Sequence, residues 1–225
     1  MDERRSREAW RVLRIQSELV DGIEHLSTLG PSVTIYGSAR LGPDSIYYGQ
    51  AKELARRFGD AGLNVLTGGG PGIMQGANEG AFGTDGCSIG LNIKLPHEQG
   101  ANKYQDLSLD FRYFFVRKLM FVKHAVGFVV FPGGYGTMDE LFEALTLVQT
   151  GKTRPFPIVL IGRDFWGGLV DWMQKVMSQE HGCIGDEDMA LFEVTDSVEH
   201  AFNLVHENFH RIQEADQRDN LPPTV

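Results

Sequence analysis

Three glycine-rich segments each follow a short apolar run: Tyr36-Gly37-Ser38-Ala39-Arg40, Gly68-Gly69-Gly70-Pro71-Gly72-Ile73-Met74 and Pro132-Gly133-Gly134-Tyr135-Gly136-Thr137-Met138-Asp139-Glu140. Placed between a strand and a helix, such a segment lets backbone N–H groups approach a phosphate, and the helix dipole favours the anion. The alternative is three tight turns in an α/β sheet. Behind the third segment stands a carboxylate, Glu140, expected in the first helical turn. Arg117 lies within the apolar run Phe114-Phe115-Val116-Arg117-Lys118-Leu119-Met120-Phe121, where a guanidinium is expensive to bury without an anionic partner. Each has a plainer reading. Arg117 fits a structural ion pair, and Glu140 fits an acid favoured by the helix dipole.

Several motifs fail on inspection. A dinucleotide fingerprint needs a third small residue, where Gly70-Pro71-Gly72 meets Gln75 and Gly134-Tyr135-Gly136 meets Asp139. A Walker loop ending in Gly151-Lys152-Thr153 needs glycine at Thr146. His206-Glu207-Asn208-Phe209-His210 matches a zinc-binding helix pattern, but only a short polar tail follows, with no third ligand on a further helix. We expect no metal there and no metal or organic cofactor elsewhere.

The elements that must position these residues follow from apolar periodicity. Apolar residues Trp10, Leu13, Leu19, Ile23 and Leu26 predict one long amphipathic helix over 2–28, ended by Gly30-Pro31. Strands are expected at Val33–Gly37, Asn64–Thr67, Ser88–Ile93, Leu107–Phe111, Gly127–Phe131, Ile158–Ile161 and Phe192–Val194, with helices over 46–60, 73–82, 113–125, 138–150, 165–178 and 197–213. This alternation predicts a Rossmann-like, doubly wound α/β fold with a mostly parallel sheet between helices. Ligands bind such sheets beyond the carboxyl ends of the strands, where the glycine segments fall. We divide the chain into an N-terminal helix (1–30), one Rossmann-like domain (31–212) and a disordered polar tail (213–225).

Composition narrows the partners. The 225 residues carry a net charge of −9, which argues against binding duplex nucleic acid, while a small anionic substrate remains allowed at a locally positive site. No apolar run approaches the ~20 residues of a membrane span, and no apolar signal core follows Met1. The two cysteines, Cys87 and Cys183, suit a reducing cytosol, so a cytoplasmic protein is expected.

The third segment is a complete PGGxGTxxE motif, whose six fixed positions arise by chance on the order of once in ten thousand or less. It resembles the signature of the Lonely Guy family, the cytokinin riboside 5'-monophosphate phosphoribohydrolases, whose members are often labelled lysine decarboxylases. The resemblance runs roughly from Val33 to Met177 and takes in Tyr36-Gly37-Ser38, the Gly68–Met74 segment and Arg117-Lys118. The long N-terminal helix and Gly70-Pro71-Gly72-Ile73-Met74 are similar to the longer, bacterial branch. The resemblance implies hydrolysis of the N-glycosidic bond of AMP or an N6-substituted AMP, giving free base and ribose 5-phosphate. It implies Arg117 and Glu140 as the catalytic pair, and Gly133, Gly134, Tyr135, Gly136 and Thr137 as the phosphate loop. Gly37, Ser38, Lys118, Glu98 and Thr146 are implied as substrate contacts. The segment Lys94–Tyr104 departs from the family pattern and bears on base preference. A homodimer with sites near its interface, or a higher oligomer, is implied as well.

The chemistry of the residues agrees. N-glycosidic cleavage builds positive charge on the ribose, which a carboxylate stabilises while it activates water. A lysine decarboxylase reading finds no support, because no lysine lies in the glycine segments to form the Schiff base that pyridoxal phosphate requires. The alternative from another class is a non-catalytic nucleotide-binding or molybdenum-cofactor carrier protein of the same superfamily. Simple binding would not need the Arg117–Glu140 pair.

Overall fold

The computed structural model describes the backbone of residues 3–94 and 100–218, and side chains within 7–94 and 100–215. Helix α1 (Glu3–Ser27) leads into β1 (Ser32–Tyr36), α2 (Ile46–Asp60), β2 (Asn64–Thr67), α3 (Ile73–Ala81), β3 (Ser88–Ile93) and β4 (Leu107–Phe111). Then follow α4 (Phe114–Lys123), β5 (Ala125–Val130), α5 (Tyr135–Gln149), β6 (Ile158–Ile161), α6 (Arg163–Trp172), β7 (Phe192–Thr195) and α7 (Val198–Arg218). Helix α6 widens into a π-type turn over Met173–Glu180, and a 3₁₀ turn spans Glu187–Leu191.

The seven strands among the described residues are all parallel, in the order β4-β3-β2-β1-β5-β6-β7. From β1 the chain winds outward to β4, and α4 brings it back to lay β5 on the other side of β1. The winding reverses between β1 and β5, so a crevice opens beyond their carboxyl ends. The strands read as near-continuous apolar runs because both faces are covered. On β1, Val33 and Ile35 face α2, α3 and α7, whereas Tyr36 faces α1, α4, α5 and α6. On β6, Val159 and Ile161 join the first face, Ile158 and Leu160 the second.

The expected elements are present, with informative differences at their ends. Helix α5 starts at Tyr135 and not at 138, and α7 continues to Arg218, past Gln213, where the sequence suggests a tail. The tail residues 219–225 lie outside the described residues. Helix α1 is two-faced. Leu26 is buried, and Ile15, Leu19 and Ile23 pack onto the core beside it, while Trp10, Leu13 and Val20 are exposed. It crosses α4 so closely that a Cβ at Gly22 would come 2.9 Å from Met120 Sδ. The Glu18 carboxylate accepts from the N–H groups of Arg112 (3.1 Å) and Tyr113 (3.4 Å), tying α1 to the two residues that lead into α4.

Candidate active site

The three glycine segments meet at the switch point and are tied together by backbone hydrogen bonds. The Ser38 N–H donates to the Pro132 carbonyl (3.0 Å), and the Ile73 N–H donates to the Ser38 carbonyl (3.0 Å). Gly72, at φ +66°, lets the second segment lie against the backbone of Ser38 and Ala39, where a Cβ would come within 2.3 Å of Ser38 O. The Ser38 hydroxyl accepts from the Arg40 N–H (3.0 Å) and so shapes the first segment locally. A buried amide network holds the second segment from below. Asn102 Nδ2 donates to the carbonyls of Gly69 (3.0 Å) and Gly70 (3.1 Å), and Gln105 Nε2 donates to Gly69 O (2.9 Å).

In the third segment the glycines differ in kind. A Cβ at Gly133 would collide with Thr137, so packing demands that glycine. A Cβ at Gly134 or Gly136 would meet nothing within 4 Å. These two leave open the approach to the first turn of α5, whose N–H groups have no partner within the helix. Because α5 begins at Tyr135, Tyr135, Gly136 and Thr137 are its first three residues, and Glu140 falls in the second turn. This corrects the expectation of a first-turn acid and weakens the dipole account of Glu140, since that effect fades beyond the first turn.

Glu140 is only 7% exposed. Burial pushes its carboxyl up to about 7, against the attraction of Lys118 and Arg117 and with the help of Glu143 and Asp139. Lys118 Nζ reaches from α4 to Asp139 (2.8 Å), Glu140 (3.4 Å) and Glu143 (2.5 Å). Burial would lower the Lys118 ammonium, but Asp139 and Glu143, helped by the Glu140 charge, outweigh it and hold its pKa above the ordinary lysine value. Arg117 is half-buried beside the second glycine segment. Its Nη1 donates to the Leu91 carbonyl (3.4 Å), and its guanidinium lies over the rings of Phe114 (5.2 Å) and Phe121 (5.7 Å).

The structure therefore brings Arg117, Lys118 and Glu140 together next to Gly37, Ser38 and the Gly133–Thr137 turn. Thr146 stands farther along α5, its hydroxyl donating to the Phe142 carbonyl (2.7 Å). It lines an open hollow of about 650 Å³ with Lys118, Tyr135, Met138, Phe142 and Leu147. Tyr135 is 96% exposed and stands over that hollow. Glu98 lies outside the described residues. The carboxylates Asp139 and Glu143 are additions to the expected set. Glu143 stands four residues after Asp139 and three after Glu140, a helical spacing legible in the sequence.

His206 and His210 face each other on α7, with their Nε2 atoms 3.1 Å apart, and His206 stacks on Phe202. Burial, then His210, lowers the His206 pKa. Among the described residues no three His, Cys, Asp or Glu side chains are grouped to hold a metal ion, and no helix is long and apolar enough to cross a membrane.

Residues 74–205 match the family model described as "Possible lysine decarboxylase". The cytokinin riboside 5'-monophosphate phosphoribohydrolase of Mycobacterium tuberculosis (strain ATCC 25618 / H37Rv) is 31% identical over 156 residues, covering 67% of this chain and 81% of that protein. The bifunctional cytokinin biosynthesis protein of Fusarium pseudograminearum (strain CS3096) is 28% identical over 189 residues, 74% of this chain but only 38% of that longer protein. Among solved structures, the molybdenum cofactor binding protein from the phototrophic bacterium Rippkaea orientalis shares the fold, with a TM-score of 0.60 and 19% identity over 80% of this chain and 98% of that one.

Proposed function

The chain belongs to the Lonely Guy family, and on that premise we propose that it hydrolyses the N-glycosidic bond of AMP or an N6-substituted AMP, releasing the base and ribose 5-phosphate. The observation that carries this reading is Glu140, a buried carboxylate in the second turn of the helix whose open first turn suits a phosphate. The C1'–N9 bond breaks with its electron pair going to the base. Ionised Glu140 stabilises the cationic ribose and takes a proton from the water that attacks C1', and that proton then passes through solvent to the departing base, leaving the base neutral and Glu140 ionised again. Arg117 holds the substrate and offsets the negative charge developing on the departing base. The N–H groups of Tyr135, Gly136 and Thr137 bind the 5'-phosphate, with Gly37 and Ser38 closing the crevice. Lys118 keeps the three α5 carboxylates together and Glu140 in place. The step needs no cofactor. Incubating the purified chain with a panel of nucleoside 5'-monophosphates is expected to release free base and ribose 5-phosphate from AMP-like members. Recovery of intact nucleotide throughout the panel refutes the reading.

The same family premise supports a cytoplasmic homodimer. The exposed Trp10, Leu13 and Val20 of α1, and Phe114, Phe115 and Leu119 of α4, form the kind of apolar surface that a second copy covers. A solution mass of at least twice the 25.1 kDa chain is expected, and a monomer mass refutes the dimer.

A further inference from the structure

Tyr36 is the last residue of β1, one position before the first glycine segment. Its ring packs edge-on against Phe121 of α4 (5.1 Å between centroids) and Phe128 of β5 (5.4 Å). The side chain is 6% exposed, and its buried hydroxyl finds no hydrogen-bond partner among the described residues. A phenylalanine would fill the same space, so packing does not account for the oxygen. Buried tyrosine hydroxyls in folded proteins normally have a partner. Burial pushes this phenol well above its ordinary pKa, so it remains a neutral donor across the working pH range. Among the charged groups, Glu140 acts on it most strongly, ahead of Arg117, Glu143 and Asp139.

We propose that Tyr36 is a positioning residue of the reaction: across one buried water its hydroxyl donates toward the Glu140 carboxylate and holds it ionised and oriented toward the ribose. This rests on the reading of Glu140 given above. A hydrogen bond donated to a carboxylate favours its charged form, opposing the burial that otherwise protonates Glu140. The charged groups facing Glu140 are Lys118 and Arg117 on α4 and Glu143 and Asp139 on α5. Removing one neutral hydroxyl leaves all four in place, so a shift in Glu140 reports the hydroxyl alone.

The test is Tyr36→Phe, which keeps both ring contacts. Infrared difference titration against Glu140→Gln, without substrate, reads the Glu140 carboxyl directly. Its midpoint is expected to move up by about one pH unit when the donor is lost. With AMP, kcat is expected to fall ~10-fold while KM stays within about twofold, and the acid limb of the kcat profile moves up with the infrared midpoint. In the Glu140→Gln background, Tyr36→Phe should cost nothing further. An unmoved infrared midpoint overturns the proposal whatever the activity, as does a Tyr36→Phe loss that simply multiplies with that of Glu140→Gln. A shifted midpoint in a chain that leaves AMP intact supports the Tyr36–Glu140 contact and defeats the reaction reading instead.

Discussion

Glu140→Gln is expected to remain folded, to become more stable above neutral pH, and to lose ~10²–10³-fold in kcat on AMP with little change in KM. Glutamine keeps the shape and the helix and removes the charge. If the carboxylate acts mainly in the transition state, the loss falls on kcat. The stability change follows from the same burial. In the folded chain the carboxyl is raised from its ordinary 4.5 to about 7, so the folded state holds the proton more tightly than the unfolded one. The stabilisation this confers is complete below about pH 4.5 and is lost as pH rises through about 7. Near pH 8 the wild type therefore carries a buried, ionised group that the amide removes, a gain of about 1–3 kcal/mol. Wild-type kcat should rise with pH along an acid limb near 7, as Glu140 ionises. A helix-end acid without chemical duty predicts the opposite pair of results, near-normal turnover and a loss of about 0.3–1 kcal/mol. Measuring kcat beside melting curves at pH 5 and pH 8 separates the two. A well-folded mutant with normal kcat would remove Glu140 from the chemistry and favour a protein that binds nucleotides without cleaving them.

The strands were legible because burial on both faces leaves apolar runs such as Ile158–Ile161 that polar turns interrupt sharply. Helix ends were less so. Gly136 reads as a loop residue, yet it sits in the first turn of α5, where a glycine costs little because that turn has yet to close its hydrogen bonds. The π-type turn after α6 carries no local mark that distinguishes it from an ordinary helix. In the site, the motif announced Glu140 and its neighbours, but neither its burial nor the Lys118 bridge could be read along the chain. Both depend on α4 crossing the sheet to lie against α5. Tyr36 was visible only as a strand residue. What makes its hydroxyl matter is the pair of rings, Phe121 and Phe128, that close over it from other elements. The apolar stripe of α1 was seen whole in the sequence, whereas the fold divides it. Leu19, Ile23 and Leu26 go inward, and Trp10 and Leu13 stay out.

The 5'-phosphate is expected to govern turnover, with kcat/KM for AMP exceeding that for adenosine by ~10²–10⁴-fold. Two or three charge-assisted hydrogen bonds from the first turn of α5 supply the difference, each contributing about 1.5–3 kcal/mol net of its exchange with water. The phosphate takes no part in bond breaking, so its effect must come from placement. Glu140 lies five residues beyond Tyr135 on one rigid helix, about 7.5 Å along the axis. That separation is of the order of the span from a 5'-phosphate to the anomeric carbon. A nucleotide anchored at the helix start therefore presents C1' to the carboxylate, whereas adenosine has no such anchor and samples unproductive poses. Gly134→Asp, at the N-cap and six residues before Glu140, tests the anchor without touching Glu140. A Cβ there meets nothing within 4 Å, and aspartate is a favoured N-cap residue, so the variant should melt at or above the wild-type temperature. It places a negative charge where the phosphate sits, and kcat/KM on AMP should fall toward the adenosine value while adenosine turnover is unchanged. Equal rates on AMP and adenosine in the wild type, or a Gly134→Asp chain that cleaves AMP normally, would remove the phosphate from the first turn of α5 and leave Glu140 without the anchor that brings the ribose to it.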